Sequence, residues 1–413
     1  MRGAGVAVVV ACLFTLCACT GGDDFGRPPD TRSVWRDDGT LHDPVDVFFL
    51  TDRARDDTQP GSYGEAWADA PSCGILHVKV PQASPTREWT PPAKFVGDPV
   101  DLCQTADHRN DEAAASLLAD SIAERCSALL LYVHGFNTIF ATAVYTAAQM
   151  AHDTRAPCAA VFSFASEGLV SRYTADIEHS AYAAPLLHAF LMDLSKKNLR
   201  LNVIAHSMGN RLMLTALSSL RHAGGPARQD FISELVLAAA DVSNSNGNDD
   251  FQKLVDDAVS SDPDGKVRRS VARVTIYASA GDAALATSEG VHDGTRAGRQ
   301  PLLDLAYQSH GPIDVIDATF APADELGHGY FSKSWEAVGD ILYALDEVPV
   351  DERLAGVNGS RPTLVWSTRQ DDPCSRRDPT PRLALNVPSS RSPSWISRLV
   401  RCVVPALPSV RLE

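Results

Sequence analysis

The chain has 413 residues, with 37 basic against 52 acidic side chains and a formal net charge of −15. An acidic chain with no basic patch lacks the electrostatic footprint that nucleic-acid binding requires, and that class of partner is set aside. The length exceeds one average domain, but α/β folds often reach it as a single unit.

Met1-Arg2 precedes an apolar run from Val6 to Ala18. That run is too short to span a bilayer and has the character of an export signal. It ends in Leu16-Cys17-Ala18-Cys19, which resembles the lipobox of bacterial lipoproteins. The resemblance implies cleavage before Cys19 and a lipid on that cysteine, with residues 1–18 as signal peptide and 19–44 as tether. The composition from Thr20 to Thr31 suits a flexible tether. The rest is expected on the exported side of the cell envelope (periplasmic in a Gram-negative cell), held at the membrane by that anchor. Of nine cysteines, Cys12, Cys17 and Cys19 fall in the export segment. The remaining six, an even number in an oxidising compartment, favour disulfides over metal. With no C-x-x-C or H-E-x-x-H motif, no metal or other cofactor is expected.

Asp46–Thr51 and Gly74–Val80 read as two strands separated by a polar loop. Pro81 to His108 reads as surface loop, followed by a helix from about Asp111 to Arg125 with Asn110 or Asp111 as N-cap. From Ala128 the pattern turns regular. Leu129–Val133 is an apolar run without polar alternation, as in a parallel strand covered on both faces. A helix from about Phe140 to His152, a strand at Ala159–Phe164 and a long helix from about Ala175 to Leu194 come next. Leu199 to Ala205 reads as a short strand rich in apolar residues, followed by A-H-S-M-G and then a helix in which Leu212, Leu214, Ala216, Leu217 and Leu220 recur at roughly helical spacing. Leu235–Ala240, Val274–Ala278 and Asp314–Asp317 are three further strands, and Ser334–Leu345 the last helix. Strands alternating with helices predict a mostly parallel, doubly wound α/β sheet flanked by helices over residues 45–349. Residues 350–413, with ten Arg against six acidic residues and many Pro and Ser, are expected to be mostly irregular, tied down by Cys374 and Cys402, or else a disordered basic extension. Cys126 and Cys158 each precede a strand. If those strands are neighbours, the cysteines share the amino-terminal sheet edge and can pair, away from the chemistry.

A serine between strand and helix sits on a sharp corner that exposes its hydroxyl above the sheet, the physical content of the G-x-S-x-G nucleophile elbow. Here Ala205 replaces the first glycine, still small but less permissive. Ligands of open parallel sheets bind beyond the carboxyl ends of the strands. Ser207, Asp241, Asp282 and His328 all follow such ends. Serine needs a base to take its proton, and a carboxylate to fix the tautomer of that base. His328, in the Gly-flanked loop G-H-G-Y-F, is the base candidate, whereas His310 precedes the last strand and lies at the wrong end. His206 is expected to support the corner or line the pocket. Asp282 is the acid candidate with Asp241 as alternative, and Asp317 lies inside an apolar strand. Two backbone N–H groups must face the developing oxyanion. Met208 supplies one, and the loop after His134-Gly135 the other, through Phe136 or otherwise Asn137.

The stretches V-H-G-F-N-T, F-S-F-A-S-E-G, A-H-S-M-G-N-R-L, D-A-A-L-A-T-S and G-H-G-Y-F resemble a bacterial α/β-hydrolase family of esterase- or lipase-like proteins. The likeness runs from about Asp46 to about Leu345. It implies the alpha/beta-hydrolase fold, a catalytic triad of Ser207, Asp282 and His328, and an oxyanion hole at Phe136 and Met208. Phe164-Ala165 stands where that family tends to have Trp-Pro, and A-A-A-D lacks the proline that often precedes the Asp, so the pocket shape is left open. The expected activity is cleavage of a small-molecule or lipid ester through an acyl-enzyme on Ser207. The rim segments Ala165–Tyr182 and Ala286–Gly298, with Leu169, Val170 and Tyr173, should shape a moderately apolar acyl site. An amidase or thioesterase with the same triad is the near alternative, and a non-catalytic envelope lipoprotein the distant one.

Overall fold

The structure, a computed structural model of the chain, describes residues 42–56, 62–81, 94–95, 99–103, 110–167, 172–244, 250–292, 294–299, 313–321, 324–350 and 353, and the short segments 357–358, 361–362, 365–366 and 382–383. The signal segment, Cys19, Leu169, Val170, His310, Cys374 and Cys402 lie outside the described residues.

In chain order the strands are β1 (His42–Arg55), β2 (Tyr63–Pro81), β3 (Lys94–Phe95), β4 (Val100–Asp101), β5 (Ala128–Val133), β6 (Ala159–Ser163), β7 (Arg200–His206), β8 (Ile232–Ala238), β9 (Val271–Ala278) and β10 (Ile313–Asp317). Four two-residue strands follow: β11 (Val357–Asn358), β12 (Arg361–Pro362), β13 (Val365–Trp366) and β14 (Arg382–Leu383). The helices are α1 (Asp111–Arg125), α2 (Phe140–Asp153), α3 (Tyr173–Ser195), α4 (Met208–His222), α5 (Phe251–Val259), α6 (Ala283–His292), α7 (Tyr330–Lys333) and α8 (Trp335–Leu345). The main sheet runs β14-β13-β10-β9-β8-β7-β5-β6-β1-β2-β3, with β4 also on β2. From β10 to β1 all pairs are parallel, while β2 and β13 add antiparallel edges.

Both faces of the parallel strands are covered, so successive side chains enter two separate cores. Leu129, Leu131 and Val133 of β5 pack with α1, α3, α4 and α5, whereas Leu130 and Tyr132 pack with α2, α7 and α8. Ala205 and Ile204 of β7, and Leu237 and Val236 of β8, divide the same way. This explains the absence of polar alternation along Leu129–Val133 and Leu235–Ala240. Each fully buried Leu or Ile contributes about 1.5–3 kcal/mol.

The connections that leave the neighbouring strands β5 and β7 run in opposite directions along the sheet. From β5 the chain steps to β6 on one side, then returns past β5 to β7 and continues outward to β8, β9 and β10. The β5/β7 boundary is therefore the topological switch point, the place in an open parallel sheet where ligands bind.

The first two strands form one long hairpin, so most of the stretch read as polar loop is strand. The α5 helix has no counterpart in the sequence reading. It is nine residues long and starts on an Asp250 carboxylate that accepts from the Gln252 and Lys253 amides. Asn110 caps α1, accepting from the Ala113 amide at 2.8 Å. Cys126 and Cys158 are disulfide-bonded across neighbouring strands at the amino-terminal edge, as the spacing allowed. A second bridge, Cys73–Cys103, fastens β2 to the segment after β4. Closing loops of 30 and 32 residues, each bridge removes about 3.5 kcal/mol of unfolded-chain entropy. No helix among the described residues is long and apolar enough to cross a membrane.

Candidate active site

Ser207 follows β7 and is the N-cap residue of α4, with φ 52° and ψ −122°. A non-glycine residue at such angles stores about 1–3 kcal/mol of strain, and persists only where its surroundings over-determine it. They do so here. Its carbonyl accepts from the Asn210 amide at 3.1 Å, the Asn210 side chain at 3.0 Å and the Asp241 amide at 3.2 Å, while its own N–H donates to the Ala238 carbonyl at 3.0 Å. The Asn210 side chain, fully buried, also donates to the Ala238 carbonyl at 2.9 Å and so ties the corner to β8.

Two glycines let the neighbouring loop close on this corner. A Cβ on Gly209 would lie 2.3 Å from the His134 carbonyl oxygen and 2.7 Å from that of Val133. A Cβ on Gly135 would lie 2.6 Å from the Ser207 Cβ. The β5 and β7 loops therefore meet backbone to backbone at the switch point. Ala205 sits one pair earlier, between Val133 and Leu237 inside the sheet, where a methyl group fits.

His328 Nδ1 lies 2.7 Å from Asp282 Oδ2. The other Asp282 oxygen accepts from the Leu285 amide at 2.9 Å, so this buried carboxylate both caps α6 and faces the imidazole. The Ala283 amide donates to the Leu326 carbonyl, and Gly327, at φ 67°, packs against Gly281, joining the histidine loop to the start of α6. Asp324 accepts from the His328 amide at 2.8 Å. The His328 ring stands 4.7 Å from that of His206, the residue before Ser207, and His206 Nε2 is 3.4 Å from the His328 carbonyl oxygen. His206 in turn stacks on Phe331 at 4.4 Å. The histidine loop thus packs against the residue that precedes Ser207.

Burial pulls the His328 pKa down, but the hydrogen bond and charge of Asp282, with Asp324 and Asp241 farther off, outweigh it and leave it raised above 6.5. His206 goes the other way. Its burial and the neighbouring His328 hold it well below that value, so it stays neutral. A base with a raised pKa is silenced by protonation at higher pH than a free imidazole. The acid limb of kcat/KM for an activated ester is therefore expected to have its midpoint above 6.5. Removing the Asp282 charge should move that limb down, and a pH–rate profile of both proteins checks it.

Asp241, the alternative acid, is engaged elsewhere. Its carboxylate accepts from the Tyr173 hydroxyl and the Ser288 hydroxyl, each at 2.6 Å, and lies 3.5 Å from Arg296 Nε. Asp317 closes β10 and accepts from the Thr319 amide. Of the two oxyanion alternatives after Gly135, the Asn137 amide already donates to Asp176 at 3.3 Å, which favours Phe136. The Phe136 ring meets that of Tyr173 edge to face at 5.1 Å. Met208, the first residue of α4, is fully buried at the helix amino end.

Sequence reading missed a buried polar group behind the β5 loop: Asp52, Arg53, Ser163, Ser166 and Asp176, with the His134 side chain. The available signal was Asp52-Arg53 closing the apolar stretch V-F-F-L-T, two charges at the carboxyl end of a strand. Burial raises Asp52 to about 7 against the Ala165 amide and the Arg53 charge, lowers Arg53 to about 10, and with the Arg53 charge lowers His134 to about 3.

The fold and this corner define the class, an alpha/beta hydrolase: a parallel sheet with a strained serine at the switch point and an Asp–His pair beside it. The chain belongs to the family of alpha/beta hydrolases of unknown function DUF900, whose model matches residues 110–344, more than half of its length. Among solved structures it is similar to esterase PE8, at 14% identity over 55% of this chain and 95% of that one, with a TM-score of 0.31. An esterase of Pyrobaculum calidifontis is 11% identical over 67% of this chain and 81% of that one, at a TM-score of 0.32. An arylesterase is 9% identical over 75% and 88%, also at 0.32. No curated protein matches.

Proposed function

We propose that the chain is a serine hydrolase that cleaves an ester through an acyl-enzyme on Ser207. The observation that carries the reading is the 2.7 Å contact between His328 and Asp282, next to a serine held at positive φ on a strand-to-helix corner. In this reading His328 Nε2 takes the Ser207 proton as the hydroxyl oxygen attacks the ester carbonyl. Asp282 holds the other ring nitrogen protonated and stabilises the imidazolium. The Phe136 and Met208 amides face the oxyanion of the tetrahedral intermediate. Collapse expels the alcohol, which receives the proton from His328, and water then repeats the sequence to release the acid. No step draws on a cofactor.

The test is turnover of p-nitrophenyl esters of increasing chain length, beside matched anilides and thioesters, by the wild type and Ser207→Ala. Ester hydrolysis that falls by at least about 10³-fold in the variant supports the reading, since loss of a nucleophile removes all but the residual binding catalysis. Faster turnover of the anilide or thioester would move the assignment to an amidase or thioesterase. A folded wild type that turns over none of them favours a binding lipoprotein.

We also propose export and membrane anchoring through a lipid on Cys19, supported by L-C-A-C after the apolar run. Metabolic labelling with a palmitate analogue, present in the wild type and absent in Cys19→Ser, is the expected result.

A further inference from the structure

Arg53 is fully buried at the carboxyl end of β1, and its guanidinium reaches three segments around the β5 loop without touching the Asp–His pair. Its Nε donates to Ser163 Oγ at 3.0 Å, one Nη to the carbonyls of Gly64 and Ser166 at 3.1 and 3.0 Å, and the other Nη to the Thr138 carbonyl at 2.6 Å. Ser163 Oγ also lies 3.2 Å from His134 Nε2. His134 Nδ1 is 2.8 Å from the Gly135 carbonyl oxygen, a group that only accepts, so Nδ1 carries the proton and Nε2 accepts from Ser163. The ring is fixed further by stacking on Phe164 at 4.3 Å.

The Gly135 carbonyl and the Phe136 N–H belong to one planar trans peptide and point in opposite directions. Holding the carbonyl therefore aims the amide. Asp176, buried in the first turn of α3, secures the rest of the loop. It accepts from the Asn137 and Glu167 amides and from Ser166 Oγ, and Ser166 Oγ accepts from the Thr138 amide at 3.2 Å. The loop between Val133 and Phe140, which touches the nucleophile on one side, is thus pinned on its other side by one guanidinium and one carboxylate.

We propose that Arg53 and Asp176 are positioning residues, a buried clamp that acts through Ser163, His134 and Ser166 to orient the Gly135–Phe136 peptide and preset the oxyanion donor. The catalytic consequence rests on the hydrolase reading; the hold on the loop does not. Lysine at 53 keeps the charge but cannot make the forked set of contacts.

The experiment compares full-length wild type, Arg53→Lys and Asp176→Asn by p-nitrophenyl acetate kinetics, melting temperature and amide hydrogen exchange of segments 134–139 and 163–167. Misplacing one oxyanion donor costs about 10²–10³ in kcat. The clamp predicts a kcat lowered at least about tenfold with KM within about twofold, and exchange accelerated in those two segments while the other strands keep their protection. Ser166→Ala removes only a hydroxyl from the same network and carries the test if the charged variants do not fold. Wild-type kcat with unchanged loop exchange overturns the clamp. Exchange accelerated evenly over the sheet overturns it also, since that marks a general packing role. An inactive wild type whose variants still loosen segment 134–139 alone leaves the clamp standing and removes the hydrolase reading.

Discussion

Asp282→Asn is expected to lower kcat for an activated ester by about 10⁴-fold while leaving the melting temperature close to that of the wild type. The reason is tautomeric. Asp282 Oδ2 accepts from His328 Nδ1 at 2.7 Å, which leaves Nε2 unprotonated and free to act as base. An asparagine can turn its carbonyl to the Leu285 amide, which Asp282 Oδ1 now satisfies at 2.9 Å. Its NH₂ then faces the imidazole, Nδ1 becomes the acceptor, and the proton moves to Nε2, where it blocks the serine. The cap on α6 survives, so folding is little affected. Steady-state kinetics and thermal melting on the same sample check both halves. A kcat within tenfold of wild type would mean that another carboxylate serves His328.

Gly209→Ala should destabilise the protein by about 3 kcal/mol and suppress turnover together. The added Cβ would stand 2.3 Å from the His134 carbonyl oxygen and 2.7 Å from the Val133 carbonyl oxygen. Both are backbone atoms of β5 and its loop, so no rotamer relieves the contact. Relief requires α4 to move away from β5, which parts Ser207 from Gly135 at the point where the two loops touch. Denaturant unfolding monitors stability, and the ester assay monitors function. Wild-type values in both would show that the corner is looser than these contacts imply. Ala205, two residues before the serine, is a useful contrast. It lies within the sheet with room for its methyl group, which is why one glycine of the motif is dispensable and the other is not.

The sheet was legible because its parallel strands are covered on both faces: Leu129–Val133 and Leu235–Ala240 have no polar alternation, and each side chain of β5 enters one of two cores. Residues that follow strand ends were legible for a similar reason, since the carboxyl edge of such a sheet is where loops converge. Both Asp241 and Asp282 satisfy that rule and the Ser-Asp-His chain order; the preference for Asp282 came from the family resemblance, and the structure pairs it with His328. What stayed hidden depends on contacts between segments far apart in the chain. Arg53 bonds to Ser163 and Ser166 at sequence separations of 110 and 113, and no local pattern reports that. Tyr173 was visible only as a rim residue, because its bonds to Asp241 and Ser288 join α3 to the β8 loop and α6. The α5 helix was missed for a different reason. It is short and follows a polar run, so its apolar residues Phe251, Leu254, Val255 and Ala258 span barely two turns.

The central claim is that the Ser207 hydroxyl is a nucleophile activated by His328. The most direct measurement is intact-mass and peptide-mass analysis of the full chain after treatment with a fluorophosphonate. One adduct per chain, mapped to the peptide carrying Ser207 and lost in both Ser207→Ala and His328→Ala folded to wild-type ellipticity, is the predicted result. A folded wild type that takes up no adduct, or an adduct that remains in Ser207→Ala, would contradict it.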